Sequence, residues 1–358
     1  MLSASEFREL ASGRTRGWRA TLLRTLLRLI ETPYAWAMRL RNRAYDGGQG
    51  IVHVTVPVIS VGNLTLGGTG KTPLVAWIAR WLRAHDVRVT LISRGYGAEA
   101  ASPNDEALEL EQQLPDVPHL QNADRIAAAQ TAIEEFDCQI IVLDDGFQHR
   151  RLARDFDLVL LDASEPFGLG HVFPRGLLRE PVSGLRRADC VVLSRADMID
   201  ADARLAIRRH VARFAPHATW VEACHAPDAW LSASGERRPL DMLTGQRVAA
   251  FCGLGNPLGF RHSLEACGLI VVGFREFPDH HPYERTDVES LIAWAVELGV
   301  TALVCTHKDL VKLDTDRLGS TPLWALGVRL DFLAGQTDLE AELTALLPLS
   351  EEQARADS

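Results

Sequence analysis

The chain has 358 residues, 47% of them hydrophobic and 24% charged, with a formal net charge of −9. That length suggests roughly two domains, and that balance describes a globular enzyme able to bury sizeable cores rather than a disordered or fibrous chain. The six cysteines are scattered, lack Cys-x-x-Cys spacing and sit mostly in or beside apolar segments; this is the pattern of reduced, buried thiols and argues against a disulfide framework or structural zinc.

The charge is uneven along the chain. Residues 1–45 hold nine Arg against three Glu, about +6, which leaves about −15 on the rest. The same arm carries Trp18, Leu22, Leu23, Leu26, Leu27, Leu29, Ile30, Tyr34, Trp36 and Leu40, a partly helical apolar stripe with Arg at other positions and an expected break or kink at Pro33. Such a segment resembles a helix lying in a membrane interface. Its apolar runs fall short of the roughly 18–20 residues that span a bilayer, and Arg24 and Arg28 interrupt the stretch a signal peptide needs. A helix packed on the protein's own core or on a partner is the competing reading. Nucleic-acid binding is disfavoured, because the acidic body repels a polyanion and no recognised motif is present.

Beyond the arm, strands and helices alternate. Residues 57–61 read as a strand, 73–85 as a helix with Leu74, Trp77, Ile78 and Trp81 on one side, and 88–93 as a second strand. Further strands are expected at 139–143, 158–162 and 190–194. Such alternation predicts an α/β fold, a parallel sheet covered by helices, whose ligands gather at the carboxyl ends of the strands. After a polar segment rich in Ala, Pro, Ser and Gly, strands at 247–252, 269–274, 302–305 and 323–326 and helices at 257–267, 287–298 and 338–346 predict a smaller C-terminal α/β domain. The expected division is a basic amphipathic arm at 1–50, a core at 51–222, a linker at 223–240 and the second domain at 241–350, with a frayed tail at 353–358.

The chemistry is concentrated at residues 67–72, Gly-Gly-Thr-Gly-Lys-Thr, directly after the first strand. A strand ending in a glycine-rich loop that opens a helix aims backbone N–H groups at one point, where a phosphate chain fits. Thr65, Gly67, Gly68, Thr69 and Gly70 would form the cradle, Lys71 would lie along the β- and γ-phosphates, and Thr72 would reach Mg²⁺. The pattern is irregular, since a strict phosphate loop has Gly where this chain has Thr65. Downstream, the apolar run 140–143 ends in Asp144 and Asp145, where such folds place the carboxylate that holds Mg²⁺ directly or through water. Either aspartate could serve.

Several segments together carry a more specific signal: 60–73 (Ser-Val-Gly-Asn-Leu-Thr-Leu-Gly-Gly-Thr-Gly-Lys-Thr-Pro), 93–97 (Ser-Arg-Gly-Tyr-Gly), 144–149 (Asp-Asp-Gly-Phe-Gln-His) and 178–181 (Leu-Arg-Glu-Pro). Gly255-Asn256-Pro257, Phe277-Pro278-Asp279-His280-His281 and Thr306-His307-Lys308-Asp309 follow in the second domain. Taken with the basic arm, these resemble the tetraacyldisaccharide 4'-kinases of the lipid A pathway over almost the whole chain, and Thr65 is normal for that family.

The resemblance implies a P-loop NTPase-like core that transfers the γ-phosphate of ATP to the 4'-hydroxyl of a tetraacylated glucosamine disaccharide 1-phosphate. The product would be lipid IVA, formed at the cytoplasmic face of the bacterial inner membrane. The basic arm would then make peripheral contact with anionic lipid, with no obligate protein partner evident. The resemblance further implies Asp105 as the base, paired with His280, with Lys71 and Asp144 at the transferring phosphate. Glu180 joins Thr72, Asp144 and Asp145 as a candidate metal residue, and Gln148 joins the nucleotide site. Arg94, Tyr96, Arg125, His149 and Arg179 are candidates for the substrate's phosphate or sugars, since Arg forks suit phosphate. A membrane-associated ATPase switch of the ParA or MinD type is the main rival, but it requires a lysine where this chain has Leu66. A regulatory nucleotide-binding module would leave Asp105 and His280 without a role.

Overall fold

The computed structural model describes residues 4–95, 105–279 and 281–348, with the side chains of Ala4, Ser5 and Asp105 left outside. The elements in chain order begin with helices α1 (Ala4–Ser12) and α2 (Trp18–Asp46), then β1 (Val58–Asn63), α3 (Lys71–Ala84), β2 (Val89–Ser93), α4 (Asp105–Gln113), β3 (His119–Gln121), α5 (Arg125–Phe136) and β4 (Ile140–Asp144). There follow β5 (Phe156–Asp162), β6 (Cys190–Ser194), α6 (Ala201–Val211), β7 (Thr219–Leu231), β8 (Arg237–Arg238), β9 (Arg247–Cys252), α7 (Pro257–Ala266) and β10 (Ile270–Glu276). The series closes with α8 (Arg285–Leu298), β11 (Ala302–Thr306), α9 (His307–Leu313), β12 (Arg317–Leu318), β13 (Thr321–Ala334) and α10 (Gln336–Thr344).

Two compact units emerge, one of residues 1–96, 114–223 and 332–358, the other of 97–113 and 224–331. This differs from the division expected of the sequence in two places. The 97–113 segment with α4 belongs to the second unit, and the polar stretch expected as a linker is largely strand. Trp220, Val221 and Ala223 are buried early in β7, and Trp230 near its end is fully buried. Pro227 lies between the stretches of β7 paired to β6 and to β8.

In the first unit the strand order is β7-β6-β5-β1-β4-β2-β3 with parallel neighbours. β1, β2, β4, β5 and β6 are buried at every residue, as central strands covered on both faces must be. α3 covers them with Leu74, Val75, Ile78 and Leu82 rather than with the stripe expected from its tryptophans. Trp77 and Trp81 are half-buried at its margins, Trp77 edge-on to Phe332 at 4.8 Å and Trp81 against His85 at 3.9 Å, where a large ring stays partly wet.

The arm belongs to this unit. α2 is one helix of 29 residues and runs through Pro33 without the expected break. Pro33 has no N–H to offer the Leu29 carbonyl, and beside it the Thr32 hydroxyl donates to the Arg28 carbonyl at 3.2 Å. One face packs down: Ala20, Ala35 and Asn42 are buried, and the Tyr34 hydroxyl donates to the Arg179 carbonyl at 3.2 Å. The other face leaves Trp18, Leu22, Leu26, Leu29, Ile30, Trp36 and Leu40 exposed, Trp18 at 73% and Leu29 at 67%. The helix therefore has one face packed on the unit and one exposed apolar face. Among the described residues no helix is long and apolar enough to cross a membrane.

In the second unit β10, β9, β11 and β13 lie side by side in parallel, with β12 antiparallel to β13. One core cluster gathers around Phe251, Leu291, Trp294 and Leu323, another around Trp230, Val248, Phe260 and Leu264. All six cysteines are free, and five are buried. Burial pushes the Cys252 thiol up to about 12 and that of Cys267 to about 11, so both stay protonated.

Candidate active site

The site of the first unit forms where β1 ends. Gly62 in that strand lies so close to the following segment that an added Cβ would meet the Phe147 Cβ at 2.6 Å and its backbone N at 2.7 Å. Only glycine lets the 144–149 loop lie against β1. Asn63, the last residue of the strand, then donates from Nδ2 to the Thr65 carbonyl and the Thr69 hydroxyl, both at 3.0 Å, and so stitches the glycine loop to the strand.

Thr65 explains the irregular motif. It forms an antiparallel bridge with Leu178, and the flanking amides complete it: Leu66 donates to the Leu177 carbonyl and Arg179 to the Leu64 carbonyl, each at 2.7 Å. A paired, buried residue in extended backbone needs no glycine. Farther along, Gly70 adopts the left-handed conformation at φ 81° and caps α3 without a side-chain hydrogen bond, which leaves the first-turn amides directed at the loop's mouth. The Thr69 carbonyl is held by the Ser194 hydroxyl at 2.8 Å, and Arg195 reaches the Gly68 carbonyl at 3.3 Å while pairing with Asp162.

Charge gathers beside the loop. Lys71 Nζ lies 3.3 Å from Asp145 Oδ1, and Arg179 donates to both oxygens of Asp145 at 2.8 and 2.9 Å. Burial alone would raise the Asp145 pKa, but Lys71 and Arg179 outweigh it and hold the carboxyl well below its usual range. Asp145 has a left-handed backbone, φ 54°, which aspartate tolerates better than most side chains. Asp144 is 5% exposed at the end of β4.

Gln148 and Glu180 brace this cluster. The Gln148 amide donates to the Asn63 carbonyl at 2.9 Å and to Glu180 Oε1 at 3.2 Å, and accepts from Arg179 at 3.3 Å. Glu180 is 1% exposed, with Arg187 on both oxygens at 2.9 and 3.0 Å and Asn42 of α2 on Oε2 at 2.8 Å. Its oxygens are thus committed to the wall of the site, as those of Asp145 are to Arg179 and Lys71. Among the described residues no group of three or more His, Cys, Asp or Glu could hold a metal by itself. The hard oxygen donors of Thr72, Asp144 and Asp145 fit Mg²⁺ whose shell is completed by phosphate and water.

The remaining candidates have varied surroundings. Arg125 is 4% exposed and donates to the Asp144 carbonyl at 3.0 Å and the Asp145 carbonyl at 3.3 Å, so it fixes the turn that presents both aspartates. Burial, then Arg125, Arg154, Arg151 and Arg41, push the His149 imidazole down to about 4. Arg94 is exposed at the carboxyl end of β2, and Tyr96 lies outside the described residues. Asn42, Ser194, Arg187 and Arg195 join the site without any local sequence signal, whereas Asn63 stood inside a recognised segment.

In the second unit, α4 begins at Asp105, whose side chain lies outside the description, as His280 does entirely. The neighbouring His281 is engaged with Asp287 at 2.9 Å and stacks on Phe277 at 4.9 Å. The Thr306-His307-Lys308-Asp309 segment holds α4 in place: His307 pairs with Gln112 at 2.9 Å, and Lys308, 7% exposed, lies 3.7 Å from Glu106 and 3.4 Å from Asp279. Asp309, in the first turn of α9, accepts from the Thr306 hydroxyl at 2.6 Å and the Tyr283 hydroxyl at 3.0 Å.

Residues 23–348 match the profile of the family described as Tetraacyldisaccharide-1-P 4'-kinase. The chain belongs to this kinase family. It is 43% identical over 341 residues to the tetraacyldisaccharide 4'-kinase of Anaeromyxobacter sp. (strain K), covering 90% of each chain. With the enzyme of that name from Halothermothrix orenii it shares 36% identity over 350 residues, 88% of this chain and 90% of the other. The crystal structure of the apo form of LpxK from Aquifex aeolicus in complex with ATP superposes with a TM-score of 0.71 at 29% identity, covering 91% of this chain and all of that one. The tetraacyldisaccharide 4'-kinase fold expected of the sequence is therefore the fold observed, and the protein is an ATP-dependent kinase of lipid A biosynthesis that phosphorylates the 4' position.

Proposed function

We propose that the transferring phosphate sits at the mouth of the 67–72 loop, and the observation that carries this is the convergence of Lys71, Asp145 and Arg179 beside the open amides of α3. Phosphoryl transfer needs charge neutralisation, in-line placement and a proton acceptor more than covalent chemistry. Thr65 to Thr72 cradle the ATP phosphates, and Lys71 exchanges its ion pair with Asp145 for the β- and γ-phosphates. Arg179, with Arg94, Tyr96 and His149, recognises the disaccharide headgroup near its reacting end. Arg125 acts as a positioning residue through the carbonyls of Asp144 and Asp145.

Thr72, Asp144 and Asp145 would hold Mg²⁺, which when bound neutralises charge on the phosphates; Glu180 keeps Gln148 and Arg187 in place instead of binding metal. Asp105 accepts the proton of the 4'-hydroxyl, and His280 orients that carboxylate and shares its charge. α2 supports the location at the cytoplasmic face of the inner membrane: its exposed apolar face and arginines suit an interface in which the substrate's acyl chains stay embedded.

Turnover of Asp105→Asn and His280→Asn tests the assignment, with ATP, Mg²⁺ and a tetraacyldisaccharide 1-phosphate in detergent. Each substitution is expected to lower kcat by about 10²–10⁴-fold while ATP binding persists. Retention of wild-type kcat in Asp105→Asn would remove that residue from the mechanism.

A further inference from the structure

α2 and the segment after Glu180 enclose a cavity of about 230 Å³ that shares Asn42 and Arg187 with the wall of the phosphoryl-transfer site. Its lining includes Arg39 and Arg43 from the helix, Ser183, and Arg186 and Arg187 from the 3-10 turn Val182–Arg187. The two carboxylates beside it are already engaged, Asp46 by Arg150 and Arg186, Glu180 by Arg187. The side chains of Arg39 and Arg43 have no hydrogen-bond or ion-pair partner among the described residues. They stand four residues apart on one helix, a spacing at which like charges repel. A positive cavity of this kind, with the Ser183 hydroxyl at its wall, favours an anion.

The position of the two arginines on α2 indicates where that anion comes from. At about 100° per residue, Arg39 and Arg43 fall beside Trp36 and Leu40, between the exposed apolar face and the face carrying Ala35 and Asn42. When the apolar face enters a lipid interface, this border lies at the level of the headgroup phosphates. The cavity is smaller than the roughly 300 Å³ at which sites for drug-sized ligands begin, so it suits a single phosphate group rather than a whole lipid. Arginine forks match phosphate oxygens in pairs.

We infer that the cavity between Arg39, Arg43, Ser183 and Arg186 is a second phosphate site, taking a lipid-borne phosphate at the membrane surface. The phosphate belongs either to an anionic phospholipid or to the 1-phosphate end of the substrate, the latter resting on the proposed function. The double variant Arg39→Ala/Arg43→Ala is compared with the wild type and with Arg14→Ala/Arg16→Ala, which removes equal charge from the arm outside the cavity. Binding is measured to vesicles of phosphatidylcholine with and without phosphatidylglycerol, and kcat and KM are measured in neutral detergent.

If the source is phospholipid, the cavity variant loses its preference for phosphatidylglycerol vesicles by about five-fold per arginine, well beyond the control, with kcat and KM unchanged. If the source is the substrate, KM rises with kcat retained and the vesicle preference survives. Wild-type behaviour in both assays, or equal losses in the Arg14/Arg16 control, would overturn the site. The detergent kcat of the wild type reports the proposed function separately. Both substituted side chains are exposed, and an unchanged thermal melt confirms that the variant folds.

Discussion

Asp145 accepts hydrogen bonds from Arg179 on both oxygens and stands 3.3 Å from Lys71, so it holds the two cations that the proposed site offers to a phosphate. In that proposal the carboxylate and the nucleotide compete for the same charges. Asp145→Asn is therefore expected to strengthen binding of ATP several-fold when divalent metal is chelated, while kcat falls by about 10²-fold. Titration calorimetry in chelator checks the first part, and weaker ATP binding by the variant would contradict it.

Thr65 occupies the position where a strict phosphate loop has glycine, yet it is 5% exposed and bridged to Leu178. Thr65→Gly restores the usual motif but removes a buried β-branched side chain and adds backbone freedom. The variant is expected to lose about 1 kcal/mol of stability and to gain no activity. A thermal melt and a KM for ATP are sufficient, and a variant with equal stability and faster turnover would mean the bridge is incidental.

Asn42 ties the arm to the site through its 2.8 Å hydrogen bond to Glu180. Asn42→Asp is isosteric but sets a second carboxylate against a buried one, at a cost of about 2–4 kcal/mol. Denaturant unfolding at pH 7 should register that loss, and it should shrink on acidification as the pair takes up a proton. Asn42→Asp with wild-type stability and kcat would show that Glu180 does not depend on the arm.

His149 gives a pH signature of known sign. Its folded pKa of about 4 lies below the unfolded value of roughly 6.5. Between those values the unfolded chain binds a proton that the native protein excludes, so this contribution to stability falls as pH drops through that window. Asp157 acts in the opposite sense: burial, opposed by Arg154, pushes it up to about 6, so its native state holds an extra proton from about pH 4 to 6. Asn at position 149 removes only the first effect. Relative to wild type, His149→Asn should gain on the order of 1–3 kcal/mol between pH 7 and pH 4.5, measured by denaturant unfolding. A gap that does not change with pH would contradict the half-buried neutral imidazole.

The strands of the first unit were legible because central parallel strands are buried on both faces and read as short continuous apolar runs, as at Cys190–Ser194. β7 was not, since its composition around Pro227 resembles a linker and its burial depends on neighbours distant in sequence. The glycine loop, Lys71, Asp144 and Asp145 stood out because each pairs a residue type with a strand end. Glu180 had a plausible metal-binding side chain but no sequence signal for Arg187 and Asn42, which occupy its oxygens. Arg125 shows the same limit: its charge is visible in sequence, but its partners, the carbonyls of Asp144 and Asp145, come from the fold.

Lys71 is the residue on which the account rests most heavily, and Lys71→Met tests it with the least ambiguity. Purified protein with ATP, Mg²⁺ and a tetraacyldisaccharide 1-phosphate in detergent should yield a bisphosphorylated lipid, with the variant folded and slower by about 10²–10³-fold. Product formed by Lys71→Met at the wild-type rate, or none formed by folded wild-type protein, would contradict the central claim.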